Sequence, residues 1–528
     1  MNTFYQYETL ELDFTVAPPA ASQALADISA VFESDGNKTV ISGFYAGNSR
    51  YIIRFLPKTA GTWHVLVSGA VEYEGTFTVL PARKGSHGIV KASGTRFVYE
   101  DGTPVLFFGT TVYALMHQPE ALIDETMETL KSAPFNKIRL CVFPKDYRFN
   151  HNEPEHYPFE KDADGNWDPD HPCFAFWDAF ENRLGELFDL GIQVDLILFH
   201  PYDRWGFAKM SREKNLTYLD YLLRRFSAYP GIWWSMANEY DLCWQKDLPD
   251  WYEIEAFIHD HDPYGHLLSN HSCVAMYDAG RPYQTHISWQ TKQIGRIPEM
   301  MDKYGKPVVI DECCYEGDLP EDWGSITGME MTARFWRTYC RGGHCTHGET
   351  FDPGNEEAAI WWAKGGKLRG ESPARIRFLR KILEELPGIP EPVRQDFAFL
   401  KRLPAREKRQ LVEAAPEWLK DGTRAIQRAV EWLTDEEIER FDSCENKAAI
   451  HCGDEAFLYY YDWQAGRKVL ITLPADKRYT IDVIDTWNMT RETVLTDASG
   501  TVDVPLPGKP YMAVLAAAND SRVDRAVS

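Results

Sequence analysis

Two glutamates set the chemistry this chain could carry. The strand-like run Ile232–Met236 leads through Ala237 into the pair Asn238–Glu239, and a second run, Lys306–Ile310, leads through Asp311 to Glu312. Two carboxyl groups at the tips of two strands can divide acid and nucleophile duties on one glycosidic bond, at a separation of about 5 Å for a retaining reaction. The C-terminal tip of a barrel strand is where barrel enzymes gather such groups. An asparagine directly before the acid has a chemical reason: its amide can hold a sugar 2-hydroxyl, and that contact strengthens as the ring becomes oxocarbenium-like.

Further polar side chains are expected near those tips. His200, Tyr202 and Asp203 follow the third apolar run and His271 follows the fifth, and each can hydrogen-bond a sugar hydroxyl. A zinc-dependent barrel would show closely spaced ligands on its first strand, and Phe107–Thr111 has none. No G-x-S-x-G elbow occurs, and Cys313 follows Glu312 without a base beside it. No metal and no cofactor is therefore expected.

The elements that must position these residues change in texture along the chain. Up to about residue 82, short alternating runs (Thr9–Phe14, Thr39–Phe44, Tyr51–Phe55, Trp63–Val67, Gly75–Val79) are separated by turn signals such as Asp35–Gly36. This is the rhythm of an immunoglobulin-like antiparallel β-sandwich. Beyond it, apolar runs alternate with amphipathic segments, the pattern of a parallel α/β barrel. The predicted strands are 106–110, 137–142, 193–199, 232–236, 267–269, 285–288, 308–311 and 344–349. Helices are predicted over 179–190, 216–229, 252–260 and 329–341, with Gly191 and Gly231 where a helix must stop before the next strand. The expected fold is a (β/α)8 TIM barrel over residues 83–400, flanked by the sandwich at 1–82. A helical connector, Ala405–Arg440, and a small all-β domain complete 401–528. The residues from Ala516 onward are expected to fray.

Composition narrows the partners. The chain has 528 residues and a formal net charge of -23, which disfavours nucleic acid or an anionic membrane surface. An aromatic share of 13% with 17 Trp supplies flat faces for sugar rings, although most such rings fill cores. Ten cysteines without ligand-like spacing point to free thiols in a reducing compartment, and the first residues, with no basic segment leading into an apolar one, give no expectation of export by a cleavable signal. No run approaches the roughly 20 apolar residues of a membrane helix. A cytoplasmic protein acting on an oligosaccharide or glycoside is the expectation, with the oligomeric state left open.

Phe135 through Leu140, Ala237–Glu239, His286 and Glu312 resemble the motif set of clan A glycoside hydrolases, particularly glycoside hydrolase family 5, over roughly residues 95 to 385. The resemblance implies that Glu239 is the acid/base, Glu312 the nucleophile, and Arg139 the arginine that pairs with it. Longer phrases (Ile197–Gly206, Asp262–His266, Gly343–Glu349, Ile484–Met489) resemble bacterial candidate glycosidases that carry domains of unknown function 5060, 4038 and 5605. That barrel type is shared with apiosidase-like enzymes, which leaves a furanoside open.

Two departures from family 5 follow. The sixth strand, with His286 and Trp289 as substrate-facing candidates, lacks the usual tyrosine, so Tyr315 or Tyr113 must serve. The eighth lacks its terminal tryptophan and offers His347, Glu349 and Asp352, with Trp361 or Trp362 swinging in from the next loop. The resulting expectation is a retaining glycoside hydrolase cleaving β-linkages of short, plant-derived oligosaccharides. A furanosidase and a non-catalytic sugar-binding barrel are the alternatives.

Overall fold

In the computed structural model, residues 3–354, 360–393, 410, 413–417, 420–430, 432, 434 and 447–520 are described. The chain divides into two compact units. The first comprises Met1–Lys292, Met300–Met331 and His344–Arg380, and the second Gln293–Glu299, Thr332–Gly343 and Lys381–Ser528.

Eight parallel strands form the barrel: β1 (Phe108–Thr111), β2 (Lys137–Cys141), β3 (Gln193–Phe199), β4 (Ile232–Ala237), β5 (Leu268–Ser269), β6 (Ile287–Gln290), β7 (Val308–Glu312) and β8 (His344–His347). They pair in the order β5-β4-β3-β2-β1-β8-β7-β6. The remaining seam is joined by a Thr285 N–H to Leu268 carbonyl bond of 2.9 Å and by a bridge between Ser272 and Trp289. Every residue of β2, β4, β7 and β8 is buried, as expected where both faces of a parallel sheet are covered. All eight predicted strands are present. β6 starts two residues later than predicted, because the Thr285 hydroxyl bonds Leu268 across the seam instead of pointing along a strand.

The helices are α1 (Glu120–Ser132), α2 (Phe174–Asp189), α3 (Arg212–Phe226), α4 (Leu248–His261), α5 (Ile297–Tyr304), α6 (Gly328–Tyr339), α7 (Trp361–Lys364) and α8 (Ser372–Glu384). α3 begins before the predicted start because its first turn is polar and stabilised by a cap: Ser211 Oγ accepts from Lys214 N at 3.3 Å. α2 ends where Gly191 takes φ 72°, a left-handed cap that a side chain would strain.

The N-terminal sandwich packs a five-stranded sheet on a three-stranded one around Phe32, Phe55 and Trp63. Asp35 and Gly36, both at positive φ, make the two-residue hairpin between Ile28–Ser34 and Asn37–Ser42. Within the same unit the sandwich is anchored to the barrel: buried Arg54 pairs with Glu181 on α2, and Leu56 N donates to the Tyr264 hydroxyl at 2.9 Å. A small sheet (Val90–Ser93, Arg96–Tyr99, Pro104–Val105) closes the N-terminal mouth of the barrel, where Phe97 packs on Phe107, Trp233, His286 and His344.

The second unit contains a six-stranded antiparallel sheet around Tyr479, Ile481, Met512 and Val514. Its strand Met512–Ala518 runs past the point where fraying was expected, since those small side chains are buried in the sheet. Within the predicted connector, Lys420–Val430 is helical, and much of the rest lies outside the described residues. Among the described residues, no helix is long and apolar enough to cross a membrane.

Candidate active site

The C-terminal ends of β1, β2, β4, β5 and β7 converge on one network. Glu312 is the last residue of β7, and its Oε1 accepts from the Tyr113 hydroxyl, two residues beyond β1. That hydroxyl also lies 2.9 Å from Asn238 Oδ1. Asn238 Nδ2 in turn donates to Glu239 Oε2 at 3.1 Å, and the Tyr202 hydroxyl donates to the same oxygen. One relay, Glu239–Asn238–Tyr113–Glu312, therefore joins the two carboxylates.

His271 makes a second link. Its Nδ1 accepts from the backbone N–H of Glu239 at 3.2 Å, so the ring proton is on Nε2, 3.8 Å from Glu312 Oε1. Burial, helped by the nearby Arg139, lowers His271 to about 4, and the ring is neutral at pH 7. Glu239 itself adopts φ 55°, ψ 58°. A left-handed backbone costs a non-glycine residue about 1 to 2 kcal/mol. It is held there by the bonds to its N–H and carboxylate, and strain of this kind collects at functional tips. Glu239 and Glu312 each retain 7% exposure, whereas Arg139 and His271 retain none.

Beneath them the barrel interior is ionic. Lys137 Nζ lies 2.7 Å from both Asp195 and Asp311, and Arg139 extends the ladder, with Nη1 3.6 Å from Glu312 Oε1. Although burial opposes its charge, Asp311, Tyr113, Asp195 and Glu312 together hold the Arg139 guanidinium above its ordinary range. Ser288 and Thr346 hydroxyls donate to Asp311 at 2.5 and 2.9 Å, which completes the support of the residue before Glu312.

Aromatic rings line the other side. Trp362, on α7, packs against Tyr113, Tyr147 and Tyr315. The Tyr315 hydroxyl is buried beside Glu312 and Tyr113, and both interactions raise it well above its ordinary value after burial itself. The sixth strand offers no tyrosine, and the hydroxyl bonded to Glu312 is that of Tyr113, two residues beyond β1. Trp289 stands at the tip of β6, one residue before the rung that pairs Gln290 with Glu312.

Five expected site residues are used elsewhere. His286 lies at the opposite end of the barrel against Phe97 and Trp233, because it precedes β6. Asp203 folds its own loop, accepting from the N–H groups of Trp205, Gly206 and Ala208 at 2.6–2.9 Å. His200 bonds the Phe143 carbonyl at 3.1 Å and supports the loop carrying Tyr202. Trp361 turns into the barrel core, its Nε1 bonded to Thr110. Glu349 accepts from Arg369 N at 2.7 Å and sits beside His347 and Glu316, where Glu316 receives the N-terminal donors of α8.

Four participants escaped the sequence reading: Lys137, Asp195, Asp311 and Lys145. For the first three a signal existed, since each interrupts an otherwise apolar barrel strand with a charge, and a charge facing a barrel interior must be paired.

A parallel barrel with paired glutamates at the ends of β4 and β7 is the architecture of glycoside hydrolases, and this chain is a glycoside hydrolase-like enzyme. The family model described as apiosidase-like, catalytic domain, matches residues 91–386, and the chain belongs to that family. Domains of unknown function 5060 and 5605 match residues 3–69 and 445–516. Among solved structures, a candidate glycoside hydrolase from Bacteroides vulgatus ATCC 8482 is 32% identical over 98% of this chain and 100% of its own, with a TM-score of 0.82. A glycoside hydrolase family 5 protein from the same organism shares the fold at 14% identity, covering 82% of this chain and 93% of its own, with a TM-score of 0.59. No curated protein matches the chain.

Proposed function

We propose that the chain is a retaining glycosidase in which Glu312 is the nucleophile and Glu239 the acid/base. The observation that carries this reading is the single relay Glu239–Asn238–Tyr113–Glu312, which ties the two carboxylates to one hydroxyl and one amide. Glu312 accepts from the Tyr113 hydroxyl, and the Arg139 guanidinium lies 3.6 Å from the same oxygen. In the first step a Glu312 oxygen bonds to the anomeric carbon as the bond to the leaving oxygen breaks, and the proton of Glu239 passes to that oxygen. In the second, Glu239 takes a proton from water, the water oxygen bonds to the anomeric carbon, and Glu312 departs.

Asn238 is suited to the sugar 2-hydroxyl, and Tyr202, Trp362, Tyr315 and Trp289 to the remaining hydroxyls and ring faces. The substrates fitting this reading are short β-linked oligosaccharides, plant material among them. The apiosidase-like family match favours a furanoside as a second reading. The nine described cysteines are all free, in keeping with work in a reducing, cytoplasmic setting.

The test is a screen of aryl β-pyranosides and β-furanosides with the product anomer followed by NMR. Retention is expected. Glu312→Gln should lower kcat by about 1,000-fold or more, and Glu239→Ala by about 100- to 10,000-fold, with azide restoring turnover of activated substrates in the latter. An inverted product, or full activity in Glu312→Gln, overturns the assignment. Sugar binding without turnover in the wild type makes the chain a binding protein.

A further inference from the structure

Several buried cations of the first unit are met by carboxylates. Lys137 and Arg139 face Asp195 and Asp311, and Arg225 faces Asp178 and Glu181. Lys145 is 2% exposed, and among the described residues its ammonium has no carboxylate within ion-pair distance and no hydrogen-bond acceptor. It lies instead over ring faces, 3.6 Å from the centroid of Tyr113, 4.2 Å from Tyr202, 4.6 Å from Tyr147 and 5.7 Å from Trp362. Cation–π contact offsets part of the desolvation and leaves three N–H donors unused.

The position of that ammonium is informative. The two nearest rings carry, at their tips, the hydroxyls bonded to Glu312 and Glu239. A ring whose hydroxyl touches a carboxylate keeps a cation over its face within a few ångströms of the same carboxylate. Lys145 is therefore beside the space where a sugar must sit to meet both glutamates. Its backbone is fixed: the Lys145 carbonyl accepts from Asn150 at 2.6 Å, Asn150 accepts from Gln118 at 3.1 Å, and Asp146 N donates to the Tyr202 carbonyl at 2.9 Å. Burial lowers the Lys145 ammonium, and Cys141, Glu239 and Glu312 oppose that from beyond ion-pair distance. A rigid, buried ammonium with no carboxylate in direct contact can take a ligand carboxylate as its partner, because the ligand then satisfies what the protein leaves open.

Resting on the glycosidase reading above, we propose that the sugar unit held between Glu239 and Glu312 is a uronic acid whose carboxylate pairs with Lys145. One ammonium with ring faces around it, its neighbouring cation Arg139 already facing Asp195, Asp311 and Glu312, matches a single carboxylate better than a phosphate dianion. Lys145 is then the residue that sets specificity for the acidic over the neutral sugar.

Two measurements test this separately from the reading it rests on. In the first, wild type and Lys145→Met are assayed on 4-nitrophenyl β-D-glucuronide and β-D-galacturonide against the matching glucoside and galactoside. The expected kcat/KM ratio of acidic to neutral substrate is about 100 in the wild type, falling to about 1 in Lys145→Met and partly restored in Lys145→Arg. In the second, D-glucuronate, D-galacturonate, D-glucose and D-galactose are titrated calorimetrically into Glu312→Gln. The free sugars mutarotate and so present both anomers and ring forms. Tighter binding of a uronate by about 10-fold or more, lost in Glu312→Gln/Lys145→Met, is expected. Uronate binding without turnover of any glycoside sinks the glycosidase reading and keeps the Lys145 assignment. Turnover of neutral glycosides with equal losses in Lys145→Met, or uronates binding no better than neutral sugars, overturns it. Should Lys145→Met not fold, Lys145→Gln replaces it in both assays.

Discussion

Tyr113 occupies the position on which both carboxylates depend. Its hydroxyl touches Glu312 and Asn238, and Asn238 touches Glu239, so one O–H group links the proposed nucleophile to the proposed acid/base. A hydroxyl bonded to a charged acceptor contributes about 1.5 to 3 kcal/mol. The loss read in kcat is the difference between what this donor gives the resting enzyme and what it gives the transition state. Tyr113→Phe is therefore expected to lower kcat by about 10- to 100-fold while leaving the melting temperature within a few degrees, checked by steady-state kinetics alongside thermal unfolding. At this scale the sequence read well where function follows from strand position. Glu239, Glu312, Asn238 and Arg139 converge in space, whereas Asp203 and His200 do not join them. A loop residue's direction depends on which backbone groups need it, and Asp203 is claimed by three N–H groups of its own loop.

At the scale of elements, the end of β8 and the start of α8 form one buried unit. Glu316 receives Ser372 N at 3.1 Å and the N–H of Glu371 at 2.6 Å, as a helix N-terminus favours. Glu349 receives Arg369 N, but it is 1% exposed and close to Glu316, and burial followed by that like charge raises it to about 7. The folded state thus keeps a proton that the unfolded chain, with an ordinary value near 4.5, gives up. This contribution to stability is full below about pH 4.5 and is lost as pH rises through 7. Glu349→Gln, neutral at every pH, should match the wild type near pH 5 and exceed it in melting temperature at pH 8. A variant less stable at pH 8 would mean that the carboxylate is ionised in place. The predicted helices and strands were legible from periodicity, but the role of Glu349 was not. It depends on α8 arriving from residues outside the strand.

The whole molecule concentrates neutral imidazoles in its first unit. Burial lowers His117 and His271 to about 4, and His200, His286, His344 and His347 to about 3. In each case the folded value lies below the ordinary 6.5, so the unfolded chain binds more protons as pH falls. Stability from these groups is complete above about pH 6.5 and declines with acid toward pH 4 and below, each contributing on the order of 1 kcal/mol per pH unit. Six such groups acting together exceed the opposing Glu349 effect. The expected outcome is a melting temperature that is highest between about pH 6.5 and 7.5 and falls steeply below pH 6, followed by calorimetry across pH 4.5–8.

Strand periodicity, turn signals and the placing of Asn238–Glu239 and Glu312 after apolar runs are local properties, and they determined the barrel, its flanking β domains and the paired carboxylates. Burial, pairing and direction are properties of the assembled chain. Only the tertiary structure decided that the Tyr113 hydroxyl bonds Glu312, that His286 faces the closed end of the barrel, and that Lys145 is enclosed by rings from three different loops. The physical reason is that a side chain's chemistry depends on the dielectric and the partners around it. Those are supplied here by residues more than 100 positions apart, as Tyr113 and Glu312 are.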